Sequence, residues 1–200
     1  MSTSATPHNR RAVFLDRDGV LNRSEVRNGK PYAPNSIENF VLYDEAAPAL
    51  RSLADGGFAL VVVTNQPDVG NGHVARAIVE EMHTKLRKAL PVEAIEACYH
   101  AQTANCDCRK PKPGMLHAAA NRLAIDLPSS FMVGDRWSDI SAGRAAGCQT
   151  ILIDRGYAEP MPETPDLVVS SLTEAGALIL GATETPTLGS RPNCGSKARK

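Results

Sequence analysis

FLDRDGVLN, Phe14–Asn22, follows directly on the apolar residues Ala12 and Val13 and carries Asp16 and Asp18 two positions apart. A short apolar run that stops at an acidic residue has the pattern of a buried strand reaching the edge of a sheet. On an extended chain, residues two apart point the same way, so both carboxylates face one cleft. Two carboxylates that close repel each other, and the pair calls for a proton or a cation. DxD alone is also common in turns, so its weight depends on what the rest of the chain brings to the same place.

The rest of the chain repeats the pattern. AVFLD (12–16), ALVVVTN (59–65), FMVGD (131–135) and TILID (150–154) read as buried strands, and AIEACYH (94–100) as a weaker fifth. Between them lie helix-period segments at 44–55, 73–90, 113–124, 138–146 and 171–180. In the second, Val74, Ala77, Ile78, Met82, Leu86 and Leu90 form one apolar stripe. Gly56-Gly57 and Gly147 supply helix stops. Short strands rich in Val and Ile that alternate with helices predict a doubly wound α/β fold with a mainly parallel central sheet covered on both faces. In such sheets ligands bind at the carboxyl ends of the strands, where Asp16, Thr64-Asn65 and Asp135 converge.

A chain of 200 residues is long enough for one full core, expected over 12–181, with a polar leader at 1–11 and an aperiodic tail at 182–200. Lys plus Arg and Asp plus Glu are both 22, and the zero formal charge argues against a nucleic-acid partner held through phosphate neutralisation. A small anionic ligand needs only a local cluster of cations. Neither an apolar signal core nor a run of roughly 18 apolar residues is present, so a cytoplasmic protein without a membrane partner is expected.

The acidic strand ends gain weight from a second aspartate pair, Asp135 and Asp139 in VGDRWSD. Clustered carboxylates without histidine make a hard oxygen site suited to Mg²⁺. Thr64 and Asn65 can donate hydrogen bonds to a phosphoryl oxygen, and CRKPKPGM adds Arg109, Lys110 and Lys112 on a turn stiffened by Pro111 and Pro113. Carboxylates, a divalent cation, hydroxyl and amide donors and an ammonium together make a phosphoryl-transfer site.

In order and spacing, FLDRDGVLN, VVVTNQ, KPKPGM and VGDRWSDISAGRAAG resemble the four motifs of the haloacid dehalogenase (HAD) superfamily of aspartate-nucleophile phosphatases, over about residues 12–157. The resemblance implies a Rossmann-like HAD fold without a large cap domain. It also implies Asp16 as nucleophile, Asp18 as acid and base, and Thr64 and Lys110 as holders of the phosphoryl group. Mg²⁺ would sit on Asp16, Asp135 and the backbone carbonyl of Asp18, with Asp139 behind it. More narrowly, CxH…CxCRKPKPGM is similar to heptose 1,7-bisphosphate 7-phosphatases, which serve activated-heptose and surface-polysaccharide synthesis, and to histidinol-phosphate phosphatases. It implies Arg109 and Arg136 as substrate contacts, beside Asn65 and Gln66; Arg136 stands where other members can carry lysine. A Mg²⁺-dependent phosphatase acting as a monomer on a small phosphorylated sugar is therefore expected. A zinc-stabilised binding protein is the non-enzyme alternative. Two loops depart from the resemblance, RSEVRNGKPYAPNSIENF (23–40) and PDVGNG (67–72), and both fall where the cleft should open.

Five cysteines is an odd count, three of them fall within eleven residues, and a secreted disulfide scaffold is normally shorter and evenly populated, so metal ligation is the better reading. Cys98, His100, Cys106 and Cys108 form an S₃N set that zinc accepts tetrahedrally. With all four positions filled by protein no place is left for water, so this zinc would be structural. Cys148 reads as a small buried residue, and His73, His83 and His117 as surface or packing residues.

Overall fold

The computed structural model describes residues 9–184. Most of the expected leader and tail lies outside the described residues. Arg10, within the expected leader, already bridges to Ile125 and forks onto Glu93 at 2.7–2.8 Å. In chain order the elements are β1 (Ala12–Leu15), β2 (Glu25–Arg27), β3 (Lys30–Tyr32), α1 (Ala46–Asp55), β4 (Ala59–Asn65), α2 (Pro67–Gly70), α3 (Arg76–Ala89), β5 (Ala94–Cys98), α4 (Gly114–Leu123), β6 (Phe131–Gly134), α5 (Trp137–Ala146), β7 (Gln149–Ile153), β8 (Leu167–Val169) and α6 (Leu172–Glu184). The expected strands and long helices are present. The sequence pattern did not announce β8, the short α2 or the β2–β3 hairpin.

Six strands form one parallel sheet in the order β5-β4-β1-β6-β7-β8. The chain moves outward from β1 through β4 to β5, then crosses to the other side of β1 for β6, β7 and β8. The order therefore reverses beside β1, which opens a crevice at the carboxyl ends of β1, β4 and β6. Leu15 pairs with Val62 on one side and Val133 on the other, so Asp16, Thr64 and Asp135 leave the sheet at nearly one level.

Alternation along the strands divides the core in two. Val13, Leu15, Leu60 and Val62 face a layer that includes Leu50 and Leu53 of α1, Met82 and Leu86 of α3 and Ile179 of α6. Ala12, Phe14, Val61 and Val63 face Leu116 and Ala119 of α4 and Ala142 of α5. Helices on both faces explain why these strands are apolar throughout. No helix among the described residues is long and apolar enough to cross a membrane.

Candidate active site

Asp16 is the first residue beyond β1, and its amide is held by the Val133 carbonyl at 2.9 Å. Its carboxylate, with those of Asp135 and Asp139, places one oxygen from each residue within 4.8 Å of the others, and all three residues are buried. The backbone has to admit this cluster. Gly19 has φ +90°, and a Cβ there would stand 1.7 Å from Asp135 Oδ2, so only glycine serves for both reasons.

The one ammonium among these acids is Lys110, only 3% exposed. Its Nζ lies 2.8 Å from Asp16 Oδ1 and 2.6 Å from Asp139 Oδ1, and donates to the Val63 carbonyl at 2.7 Å. The contact to Asp139 is a close ion pair, and Asp135 Oδ1 is buried without a hydrogen-bond partner. Burial works against the charge on Lys110, but the Asp139 and Asp16 carboxylates outweigh it and hold this lysine above its ordinary value. Burial pushes Asp16 up to about 7; Lys110 opposes the shift while Asp139 and Asp18 add to it. Burial also drives Asp135 well above the carboxylate range, with Asp16 and Asp139 contributing. Three buried carboxylates share one cation, and Asp135 Oδ1 has no donor. That is the deficit a divalent cation such as Mg²⁺ removes, so the residues fit the metal.

Asp18 has different surroundings. Its carboxylate accepts from Arg17 Nε (3.1 Å) and Nη2 (3.0 Å), Asn22 Nδ2 (3.0 Å) and Gln66 Nε2 (2.8 Å). These donors hold its side chain outside the carboxylate cluster, which leaves the backbone carbonyl as the group expected on the metal. Arg17 is fully buried, packs over Phe40 at 5.4 Å and meets His83 Nε2 at 3.2 Å. His83, expected as surface or packing, is thus part of the support for Asp18. Nothing in the sequence placed α3 under the cleft, so no local signal could have found it.

The other expected site residues are disposed as follows. Thr64 is fully buried at the end of β4 and accepts from Gln66 Nε2 at 2.9 Å. Asn65 grips the backbone of Lys110, with Nδ2 to the carbonyl at 3.0 Å and Oδ1 from the amide at 3.1 Å. Arg136 forks onto Glu159 at 2.5 and 3.0 Å, and Arg109 donates to the His100 carbonyl at 3.2 Å. A cavity of about 330 Å³ opens over Asp16, Asp18, Asn65, Lys110, Arg136 and Asp139. Arg109 does not line it; Lys30, Tyr32, Asp68 and Gln102 do. Tyr157, which had no motif to announce it, donates to Asp135 Oδ2 at 2.8 Å.

The cysteine set converges as well. Cys98 Sγ lies 3.7 Å from Cys106 Sγ and 3.2 Å from Cys108 Sγ, and His100 Nδ1 lies 3.5 Å from Cys98 and 3.2 Å from Cys108. These separations approach the edge of a tetrahedron whose metal–sulfur bonds are about 2.3 Å, so the four residues fit zinc. The loop is fixed at its base: a Cβ on Gly70 of α2 would stand 2.1 Å from the Ala101 amide, so α2 packs directly on it.

A parallel sheet with this aspartate and lysine arrangement at its switch point is the architecture of the HAD-like hydrolases, and the HAD-hydrolase-like family model matches residues 107–175. A D-glycero-beta-D-manno-heptose-1,7-bisphosphate 7-phosphatase of Escherichia coli K12 is 37% identical over 178 residues, covering 82% of this chain and 90% of that one. Its counterpart in Pseudomonas aeruginosa is 32% identical over 164 residues, covering 77% and 89%. Among solved structures, the D,D-heptose 1,7-bisphosphate phosphatase of B. bronchiseptica, complexed with magnesium and phosphate, superposes with a TM-score of 0.75 at 28% identity, over 86% of this chain and 99% of that one. The chain belongs to this family of HAD-like phosphatases.

Proposed function

We propose that the protein is a Mg²⁺-dependent phosphatase that removes the 7-phosphate from D-glycero-D-manno-heptose 1,7-bisphosphate. The observation that carries the proposal is the buried Asp16 carboxylate. It shares one point with Asp135, Asp139 and Lys110 on the floor of a cavity that Asp18 also lines. Relatives named for this activity match along most of the chain.

In the proposed reaction an Asp16 oxygen attacks the phosphorus of the 7-phosphate while the P–O7 bond breaks. The electron pair leaves on O7, which takes a proton from the Asp18 carboxyl. Asp18, now a carboxylate, takes a proton from the water that attacks the aspartyl-phosphate. Inorganic phosphate leaves and Asp16 is restored. Arg17, Asn22 and Gln66 orient Asp18 for both proton transfers. Lys110 and the Thr64 hydroxyl hold the phosphoryl oxygens, and Asn65 fixes the backbone that carries Lys110. Asp16, Asp135 and the Asp18 carbonyl would hold Mg²⁺, with Asp139 beside them; the bound ion screens carboxylate from phosphate. Cys98, His100, Cys106 and Cys108 would hold a structural zinc.

Cysteines gathered as a metal-ligand set, rather than paired in disulfides, suit a reducing cytoplasm. The test is Mg²⁺-dependent phosphate release measured in parallel on heptose 1,7-bisphosphate, hexose phosphates and histidinol phosphate. Much faster hydrolysis of histidinol phosphate would overturn the substrate.

A further inference from the structure

We propose that Lys30, on the β2–β3 hairpin, is the cation that receives a second anionic group of the substrate. The inference rests on the sugar-phosphate reading and adds a specificity residue to it.

Three cations line the cavity: Lys30, Lys110 and Arg136. Two are already matched. Lys110 is held between Asp16 and Asp139, and Arg136 by the bidentate contact to Glu159. A phosphoryl group bound over Asp16 takes up Lys110, and drawing Arg136 to the substrate would leave Glu159 without its partner. The Lys30 side chain has no hydrogen bond or ion pair among the described residues, although its backbone pairs with Arg27. Of the acids near it, Glu25, on the paired strand, is forked by Arg27 at 2.5–2.7 Å, while Asp68, which lines the same cavity, has His73 at 3.6 Å, an ion pair only when that imidazole is protonated. The cavity cation without a side-chain partner is therefore on the hairpin, in the same cavity as Asp16, Asp18 and Asp139.

The hairpin is held well enough to position that charge. Asn28 and Gly29 have φ of 52° and 73°, the two left-handed residues of a tight two-residue turn. The Ala158 amide donates to the Gly29 carbonyl at 2.9 Å. The residues beside Ala158 bind elsewhere in the site, Tyr157 on Asp135 and Glu159 on Arg136. One short segment thus ties the hairpin to both the carboxylate cluster and the rim arginine. Lys30, Pro31 and Tyr32 all line the cavity, and the exposed Tyr32 phenol can add a hydrogen bond to the same group. A substrate with one phosphate leaves Lys30 in water. One with a second phosphate at its far end exchanges that water for a charge-assisted hydrogen bond.

The test compares heptose 1,7-bisphosphate with heptose 7-phosphate on the Mg²⁺-loaded full chain, as wild type, Lys30→Gln and Lys30→Arg. Lys30→Gln is expected to lower the preference for the bisphosphate, as the ratio of kcat/KM values, by about 10- to 30-fold, chiefly through KM. Lys30→Arg should keep most of it. A preference unchanged by Lys30→Gln, or an equal fall for both compounds, overturns the assignment. If the wild type turns over neither compound, the proposed function fails separately. Lys30 is then judged by calorimetric binding of the same two compounds to wild type and Lys30→Gln. Loss of the affinity ratio supports it, and an unchanged ratio or no binding of either compound overturns it.

Discussion

The carboxylate cleft and the cysteine loop lie side by side and are built in opposite ways. The loop draws all four of its ligands from the eleven residues Cys98–Cys108, so its site needs little more than local chain bending. The cleft draws Asp16, Thr64, Lys110, Asp135 and Asp139 from four stretches far apart in sequence, which meet only when β1, β4 and β6 are in register. The loop ligands other than Cys98 are half-buried or exposed; the cleft groups are buried, and their charges are worth more there because water is excluded. Chemistry that must stabilise charge belongs in the second kind of site. A metal held by four protein ligands belongs in the first.

The largest expected effect follows from that division. Asp16→Asn should lower phosphate release by on the order of 10⁵-fold or more, because in the proposed reaction it removes the attacking oxygen rather than a binding contact. It should leave zinc content, measured by metal analysis, unchanged. Cys106→Ser with Cys108→Ser should do the reverse. Zinc is lost, the segment 98–114 becomes sensitive to limited proteolysis, and KM rises about 10-fold with a smaller change in kcat. Full activity of a folded, zinc-free double variant would mean that the cleft holds Lys110 without help from the loop.

How far each region could be read from sequence follows the same contrast. The strands carrying Asp16, Thr64 and Asp135 were legible because a buried parallel strand leaves an apolar run with a polar stop. The cysteine set was legible because its ligands are close in sequence. Contacts made by the final packing were not. Arg17 reads as a charged neighbour of Asp16, yet it is fully buried and grips Asp18 from beneath. Tyr157 lies in an irregular segment beyond β7 and reaches Asp135 only because that segment folds back. Arg109, expected over the cleft, instead turns to the His100 carbonyl, since its own loop offers the nearer acceptor. The hairpin is another case: Asn28-Gly29 is a strong turn signal, but strands of three residues are too short to show an alternating pattern.

Asn65 is where the two regions join, since its side chain holds both backbone groups of Lys110. Asn65→Ala removes two hydrogen bonds at the point where the loop enters the cleft. A stability loss of about 1–3 kcal/mol by urea unfolding and a fall in kcat/KM of about 10-fold are expected. The fall should persist when zinc is saturating. If added zinc restored activity, the loop and not Asn65 would be placing Lys110.

The smallest expected effect on turnover lies beneath Asp18. Arginine only donates, so His83 Nε2 must accept from Arg17 Nη1, and the ring proton sits on Nδ1, facing Glu80 at 3.5 Å and Tyr99 at 3.4 Å. Burial, with the Arg17 charge adding to it, lowers His83 from 6.5 to about 4. The unfolded chain therefore binds a proton near pH 6.5 that the folded chain refuses until about pH 4. Stability is full above the unfolded value and is lost as pH falls through this window, by at most about 3 kcal/mol. His83→Gln keeps an acceptor for Arg17 and removes the titration. Urea unfolding at pH 5 and pH 7.5 should then show a smaller acid loss than in wild type, while kcat at neutral pH stays within about 3-fold. His83→Phe leaves the buried Arg17 Nη1 without that acceptor and should cost about 1–3 kcal/mol at every pH. If the two variants had equal stability at pH 7.5, the Arg17–His83 contact would contribute nothing, and Asp18 would be positioned by Asn22 and Gln66 with Arg17 alone.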